Sequence, residues 1–358
     1  MAQLTHLAHR LYEHVRREGL LPRGAHVVVA CSGGPDSLAL LSLLLELRPL
    51  LSLTVTAAHY EHGIRGGASA EDAAFVRRFC AARAVPCIVE SGDVPRAAAR
   101  TSESLETAAR RLRYAFLERT RGRVDASLIV TAHHADDQAE TVLLHLLRGT
   151  GLDGLAGIPA RDAARHLVRP LLPFPKQELV DYCRARGFSP RHDATNDVPD
   201  ALRNRVRLSL LPELARAYNP AIRQGLCRLA DIAAEEREAA EHLAAQEAAR
   251  LIEQLPAGRA HGEDAASWHL PEAPALRADA ACALPRALCR RVLRIYLARL
   301  GRAQDVSFER TEALRRLLSG TSGQRVELPR LVIAYDSGWL RPAVKKYNKE
   351  EESNHDEG

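Results

Sequence analysis

A chain of 358 residues exceeds the usual single-domain size, so two domains are expected. Its 46% hydrophobic and 27% charged residues fit a soluble globular protein with a real core, and no run approaches the ~18 apolar residues of a membrane span. A net charge of +5 permits an anionic partner without demanding one, and seven scattered cysteines with no C-x-x-C pair argue against a disulfide framework or a zinc site and fit the cytoplasm.

Leu4, Leu7, Leu11 and Val15 recur at helical spacing, which predicts an amphipathic helix at the N-terminus rather than a signal peptide. Strands are then predicted at His26–Ala30, 53–59, 86–90 and 127–132, with helices near 37–47, 69–84, 103–120 and 137–148 between and after them. That alternation implies an α/β fold, a parallel sheet with helices on both faces, whose ligands sit beyond the carboxyl ends of the strands. After residue 212 the character changes to an Ala/Glu/Arg-rich helical stretch over 219–254 without strand signal. A loop region at 255–285, helices near 286–300 and 306–318, and two or three short strands in GQRVELPRLVIAYDSGWLRP follow. The expected domains are 1–215, a mainly helical 216–342, and a disordered charged tail at 343–358.

The first strand runs into Ser32-Gly33-Gly34-Pro35-Asp36-Ser37 and then a leucine-rich helix. Glycines allow close backbone approach to an anion and the helix start adds partial positive charge, so the turn suits phosphate. Neither G-x-x-x-x-G-K-[ST] nor G-x-G-x-x-G occurs. His59, His62 and Arg65 fall after the second strand, a weak metal set without a cysteine or third histidine nearby. Glu106 and Arg110 stand at i, i+4 with Arg113 a turn further, a charged face with an ordinary solvated alternative. His133, His134, Asp136, Asp137 and Glu140 open the helix after the fourth strand. Acidic residues there also suit the helix dipole, but three carboxylates in five residues suit a cation, either Mg²⁺ or a substrate ammonium. Arg203, Arg205 and Arg207 close the region as a basic cluster.

Residues 32–37 resemble the S-G-G-x-D-S loop of the N-type ATP pyrophosphatases, or PP-loop proteins, of adenine nucleotide alpha hydrolase-like fold. The other blocks resemble the tRNA(Ile)-lysidine synthetases. They are H-x-x-H-G-x-R from His59, E-x-x-A-R-x-x-R-Y from Glu106, G-T-G-L-x-G-L-x-G-I from Gly149, and R-P-L-L followed by Asp193, Asn196, Arg203, Asn204 and Arg207, while H-x-x-D-D-x-x-E-T from His133 resembles a block shared by several pyrophosphatase branches, tRNA thiolases included. The second domain resembles the family's helical tRNA-binding domain more loosely, and a further C-terminal domain of longer members is expected to be missing.

The resemblance implies ATP and Mg²⁺ as cofactors, with ATP on Ser32, Gly33, Gly34, Pro35, Asp36, Ser37 and His59. It implies Mg²⁺ on Asp36, and lysine or magnesium on Asp36, Asp136, Asp137 and Glu140. Catalytic roles fall to Asp36, Arg113, His133, Asp137 and Glu140, and tRNA contacts to His62, Arg65, Arg203, Arg205 and Arg207. The implied partners are an isoleucine tRNA with a CAU anticodon and free L-lysine, with no membrane and a homodimer left open. The implied reaction adenylates C2 of the anticodon wobble cytidine and then displaces AMP with the lysine ε-amine. A base thiolase of the same superfamily would want a cysteine pair. A glutamine-dependent ligase would need a glutaminase ahead of the first helix. A tRNA-binding module with an inactive ATP fold would not need the intact loop and carboxylates.

Overall fold

The computed structural model describes residues 4–63, 67–191, 202–254, 273–302, 307–329 and 331–343. By packing, the chain divides into two compact units, Met1–Ala234 and Glu235–Gly358. That division falls within a helix, C-terminal to the boundary expected at residue 215.

The first unit begins with α1 (His6–Arg17), β1 (His26–Ala30), α2 (Pro35–Leu51), β2 (Thr54–Glu61), α3 (Gly67–Ala81) and β3 (Cys87–Ser91). It continues through α4 (Val94–Thr101), α5 (Leu105–Arg123), β4 (Leu128–Val130), α6 (Ala135–Leu147) and α7 (Leu152–Leu155). The remainder is β5 (Arg161–Asp162), β6 (Leu167–Val168), α8 (Lys176–Ala185), α9 (Leu202–Arg205), a π-helical turn Val206–Leu210, α10 (Leu211–Ala217) and the start of α11 (Ile222–Leu251).

The strand order is β3-β2-β1-β4-β6-β5, parallel except for β5. Val27, Val28 and Val29 of β1 are buried on both faces, so a continuous β-branched run with no polar alternation marks the central strand. One face packs α1, α2, α3 and α8, with Leu38, Leu40, Leu41, Leu43, Leu44 and Leu47 of α2 all buried. The other packs α4 and α5 through Val94, Ala98, Phe116 and Leu117. The α/β expectation therefore holds. The chain steps from β1 outward through β2 and β3, then returns to place β4 on the opposite side of β1. This reversal opens a crevice between the carboxyl ends of β1 and β4, where open parallel sheets bind ligands.

The second unit continues with β7 (Ile252–Gln254), β8 (Pro274–Arg277), α12 (Ala278–Ala283), α13 (Arg286–Arg299), α14 (Phe308–Leu317), β9 (Arg325–Leu328), β10 (Leu331–Asp336) and β11 (Trp339–Ala343). Its sheet is antiparallel, in the order β7-β8-β11-β10-β9. Tyr296 of α13 is fully buried on it and donates from its hydroxyl to the Leu340 carbonyl at 3.0 Å. Two expectations need correction: the 219–254 stretch ends in strand β7, and the 255–285 loop region contains β8 and α12. These strands are three and four residues long, too short for alternation to show, and they owe their existence to long-range pairing, β7 with β8 and β8 with β11. The tail beyond Ala343 lies outside the described residues. No described helix is long and apolar enough to cross a membrane.

Candidate active site

The loop after β1 is shaped by its own side chains. The Ser37 hydroxyl oxygen accepts from the amides of Ser32 and Gly33 at 3.2 Å each, and its proton goes to the Gly34 carbonyl at 3.0 Å. Gly33 has φ +89, a backbone that L-residues avoid, and a Cβ there would also meet Val76 at 3.3 Å. Gly34 is the N-cap of α2 without a side-chain cap bond, and Pro35 follows at the first turn. The first turn of a 17-residue helix therefore presents uncapped N–H groups and partial positive charge to the crevice. His59 is buried and donates from Nδ1 to the Cys31 carbonyl at 2.8 Å, which fixes the residue entering the loop.

The facing wall is the start of α6. His134 is its N-cap, in a reciprocal capping box with Asp137: the His134 amide donates to Asp137 Oδ2 at 3.1 Å, and the Asp137 amide to His134 Nδ1 at 3.4 Å. The same imidazole points Nε2 toward Asp36 Oδ2 at 3.5 Å and Asp137 Oδ2 at 3.4 Å. Burial alone would lower the pKa of His134; Asp36, Asp137 and Asp136 outweigh it and hold it above its ordinary value. One histidine thus bridges the glycine loop and the carboxylate helix.

Each remaining carboxylate has a distinct environment. Glu140 is buried and takes Arg207 at two points, Nε at 2.6 Å and Nη2 at 2.8 Å, with Arg203 Nε at 3.0 Å. Arg203 Nη2 also reaches Asp137 Oδ1 at 3.2 Å. Asp136 accepts from the Lys176 amide at 2.9 Å, capping α8 from 40 residues away, and pairs with Arg223 Nε at 3.2 Å. Asp36 differs from all of these, because its Oδ1 is buried without a hydrogen-bond partner among the described residues.

Beside this cluster lies a cavity of about 500 Å³, whose wall includes Glu106, Arg110, His133, Asp162, Arg165 and Arg169. His133 bonds Thr131 Oγ1 through Nδ1 at 2.9 Å. Burial first, and then the positive charges of Arg169 and Arg113, push its pKa well below the ordinary value, so the ring is neutral at pH 7. Arg110 and Arg113 lie over the Tyr114 ring, 5.2 and 5.7 Å from its centroid. Glu106 and Arg110 form no ion pair with each other among the described residues.

Comparison with known proteins agrees with this geometry. Residues 4–214 match the family model of the PP-loop domain, and 276–339 that of the TilS substrate binding domain. A tRNA(Ile)-lysidine synthase of Symbiobacterium thermophilum is 38% identical over 92% of this chain and 68% of its own length. The chain belongs to the tRNA(Ile)-lysidine synthase family. Another such synthase, from Dehalococcoides mccartyi, is 33% identical over 92% of this chain and 69% of its own, while the match to that of Geobacillus kaustophilus spans 59% of the relative. The tRNA thiolase NcsA of Methanococcus maripaludis shares the fold, with a TM-score of 0.52 at 17% identity over 62% of this chain and 78% of its own.

Against that family background, the crevice brings together Ser32 through Ser37, His59, His133, Asp136, Asp137 and Glu140. Arg203 and Arg207, expected on RNA, instead pair with Glu140 and Asp137, whereas Arg205 is exposed. His62 packs its ring on Tyr60, centroids 5.2 Å apart, and Arg65, Asp193 and Asn196 lie outside the described residues. Reasoning from sequence missed His134 as the bridge and Arg169 as a buried cation. The paired histidines were the only signal for the first, and the R-P-L-L block for the second.

Proposed function

We propose that the chain joins free L-lysine to C2 of the wobble cytidine of a CAU-anticodon isoleucine tRNA, consuming ATP and releasing AMP and pyrophosphate. Family membership makes it an ATP-dependent tRNA-modifying ligase. The observation that carries the finer reading is the meeting of the 32–37 loop with the start of α6, where Asp36 and His134 stand 3.5 Å apart.

Transfer of AMP to the cytidine carbonyl builds negative charge on the departing pyrophosphate. The loop amides and the α2 dipole offset it. The residues present fit Mg²⁺: a magnesium ion in a nucleotide site takes only one or two carboxylates, with phosphates and water completing its shell, and Asp36 offers an unpartnered buried oxygen. When bound, the ion supplies further neutralisation of the triphosphate. The lysine ε-amine, with a reference pKa of about 10.4, must lose a proton before it can displace AMP. Asp137 is assigned to hold that ammonium and take its proton. Glu140 is assigned to hold Arg203 and Arg207 in place, since it is buried and takes three hydrogen bonds from them, against the single one that Arg203 gives Asp137. Neutral His133 can hydrogen-bond at the adenylate without adding charge, and Arg113 offsets developing negative charge.

The cytidine leaves its stack to reach the crevice, as enzymes acting on bases require. The match of 276–339 to a substrate-binding domain supports tRNA binding by the second unit, and exposed Arg205 is assigned, with His62 and Arg65, to contact with the RNA backbone. The reaction belongs in the cytoplasm with its RNA. The test is incorporation of labelled lysine into a CAU-anticodon isoleucine tRNA transcript with ATP and Mg²⁺, against a methionine tRNA bearing the same anticodon. Selective, ATP-dependent labelling is expected. Pyrophosphate release without labelling would point to another nucleophile, and silence in both would leave only an RNA-binding role.

A further inference from the structure

The glycine loop is fastened from outside by a residue that takes no part in the proposed reaction. The segment after α8 runs along α3, where the Phe188 ring meets that of Phe79 edge-on, centroids 5.1 Å apart, and the Arg83 guanidinium lies over both. Arg191, three residues on, is shared between two elements. Its amide donates to the Gly33 carbonyl at 3.0 Å. Its guanidinium donates from Nε to Asp72 Oδ1 and from Nη2 to Glu71 Oε2, both at 2.8 Å. Glu71 and Asp72 belong to α3, the helix whose Phe75 and Val76 side chains border Gly33.

We infer that Arg191 is a positioning residue for the nucleotide loop, holding the peptide between Gly33 and Gly34 in the orientation that offers the Gly34 N–H to phosphate. The inference rests on the ATP reading of that loop. In a trans peptide the C=O and N–H point in opposite directions, so a carbonyl held by Arg191 sends the Gly34 N–H the other way. There it makes a long contact of 3.4 Å with Ser32 Oγ, which a phosphate oxygen can replace. Neither flanking residue has a Cβ, so this plane rotates readily unless something holds it. Rotated, it would turn a carbonyl oxygen toward the triphosphate and exchange a donor for a repelling acceptor. Arg191 together with Glu71 and Asp72 carries net negative charge, so the trio does not draw in a triphosphate by its field; it acts through the main chain.

Calorimetric titration of the full chain with ATP and Mg²⁺ tests the role. Arg191→Ala is expected to weaken ATP binding roughly three- to tenfold, the scale of two exposed ion pairs. The loss should fall on KM for ATP rather than on kcat, with the urea midpoint near that of the wild type. The paired variant Glu71→Gln with Asp72→Asn separates positioning from charge, because the two accounts differ in sign. Releasing Arg191 from its partners weakens ATP binding if the loop must be held. Removing two negative charges beside the loop strengthens it if only the field matters. Weakening is expected, and adding Arg191→Ala to the pair should cost no more than Arg191→Ala alone, since both break one connection. Tighter binding by the paired variant, wild-type affinity in Arg191→Ala, or affinity lost only in step with the urea midpoint overturns the assignment. A wild-type chain that binds no ATP would instead overturn the reading of the loop, and this inference with it.

Discussion

Glu140 and Arg207 are locked together at two points, 2.6 and 2.8 Å, in the wall of the crevice, and the carboxylate is almost fully buried. Removing one partner of such a pair strands the other charge. Glu140→Ala is expected to lose about 3–5 kcal/mol of stability. Glu140→Gln, which keeps the shape and part of the hydrogen bonding, should lose less. Urea unfolding measures both, and a wild-type midpoint for the alanine variant would show that the pair is not structural.

Asp36 makes the opposite prediction. Its Oδ1 has no partner among the described residues and its Oδ2 faces only His134, at 3.5 Å, so Asp36→Asn should move the unfolding midpoint far less than Glu140→Ala while slowing pyrophosphate release roughly a hundredfold or more. The Mg²⁺ dependence of ATP binding should weaken in the same variant. Calorimetric titration with ATP, with and without Mg²⁺, reads this directly; an unaltered magnesium dependence would remove Asp36 from the metal site.

The two adjacent histidines pull stability in opposite directions with pH. His134 has a raised pKa in the folded state, so its contribution is full below its unfolded value of 6.5 and is lost as pH rises through the folded value. His133 has a lowered pKa; the unfolded chain therefore takes up a proton first, and stability falls as pH drops below 6.5. Relative to wild type, His133→Asn should become less sensitive to acid, and His134→Asn less sensitive to the rise above neutrality. Denaturant midpoints of the three proteins across that range test the signs. Parallel curves would contradict them.

Neighbouring glycines of the loop should respond unequally. Gly33→Ala forces a side chain into a left-handed backbone at about 1–2 kcal/mol and crowds Val76. Gly34 has an extended backbone, and a Cβ there meets Ser32 Oγ at an ordinary 3.6 Å. ATP affinity should fall clearly for the first alanine and little for the second. Equal losses would mean that the amide geometry is not what binds the nucleotide.

The parts of this molecule legible in sequence are those with local causes. Strand β1 shows as an unbroken valine run, and α2 as a leucine-rich helix entered through glycine and proline. Asp36, Asp137 and His133 stand at strand ends, where the resemblance marks them as site candidates. What stayed hidden depends on partners far along the chain. Asp136 reads as a ligand, and nothing local announces that it also accepts from the Lys176 amide and caps a helix 40 residues later. Arg203 and Arg207 read as surface charges because nothing local says that Glu140 lies under them. The two-residue strands β5 and β6 have no pattern of their own; β6 arises from its register against β4, and β5 from pairing with β6.

Among the described residues, the cations of this crevice and its adjoining cavity include Arg110, Arg113, Arg148, Arg165, Arg169, Arg203, Arg207 and Arg223, and Lys176, the sole lysine before Lys345, meets it through its backbone amide. A guanidinium stays protonated at every physiological pH and offers no lone pair to an electrophile. Walls that carry positive charge in this form can draw in and grip reactive anhydrides without ever being modified by them. Under the proposed reaction, a cytidine C2 activated here would meet no amine from the guanidinium wall itself, and the enzyme would be spared attachment to its own activated base.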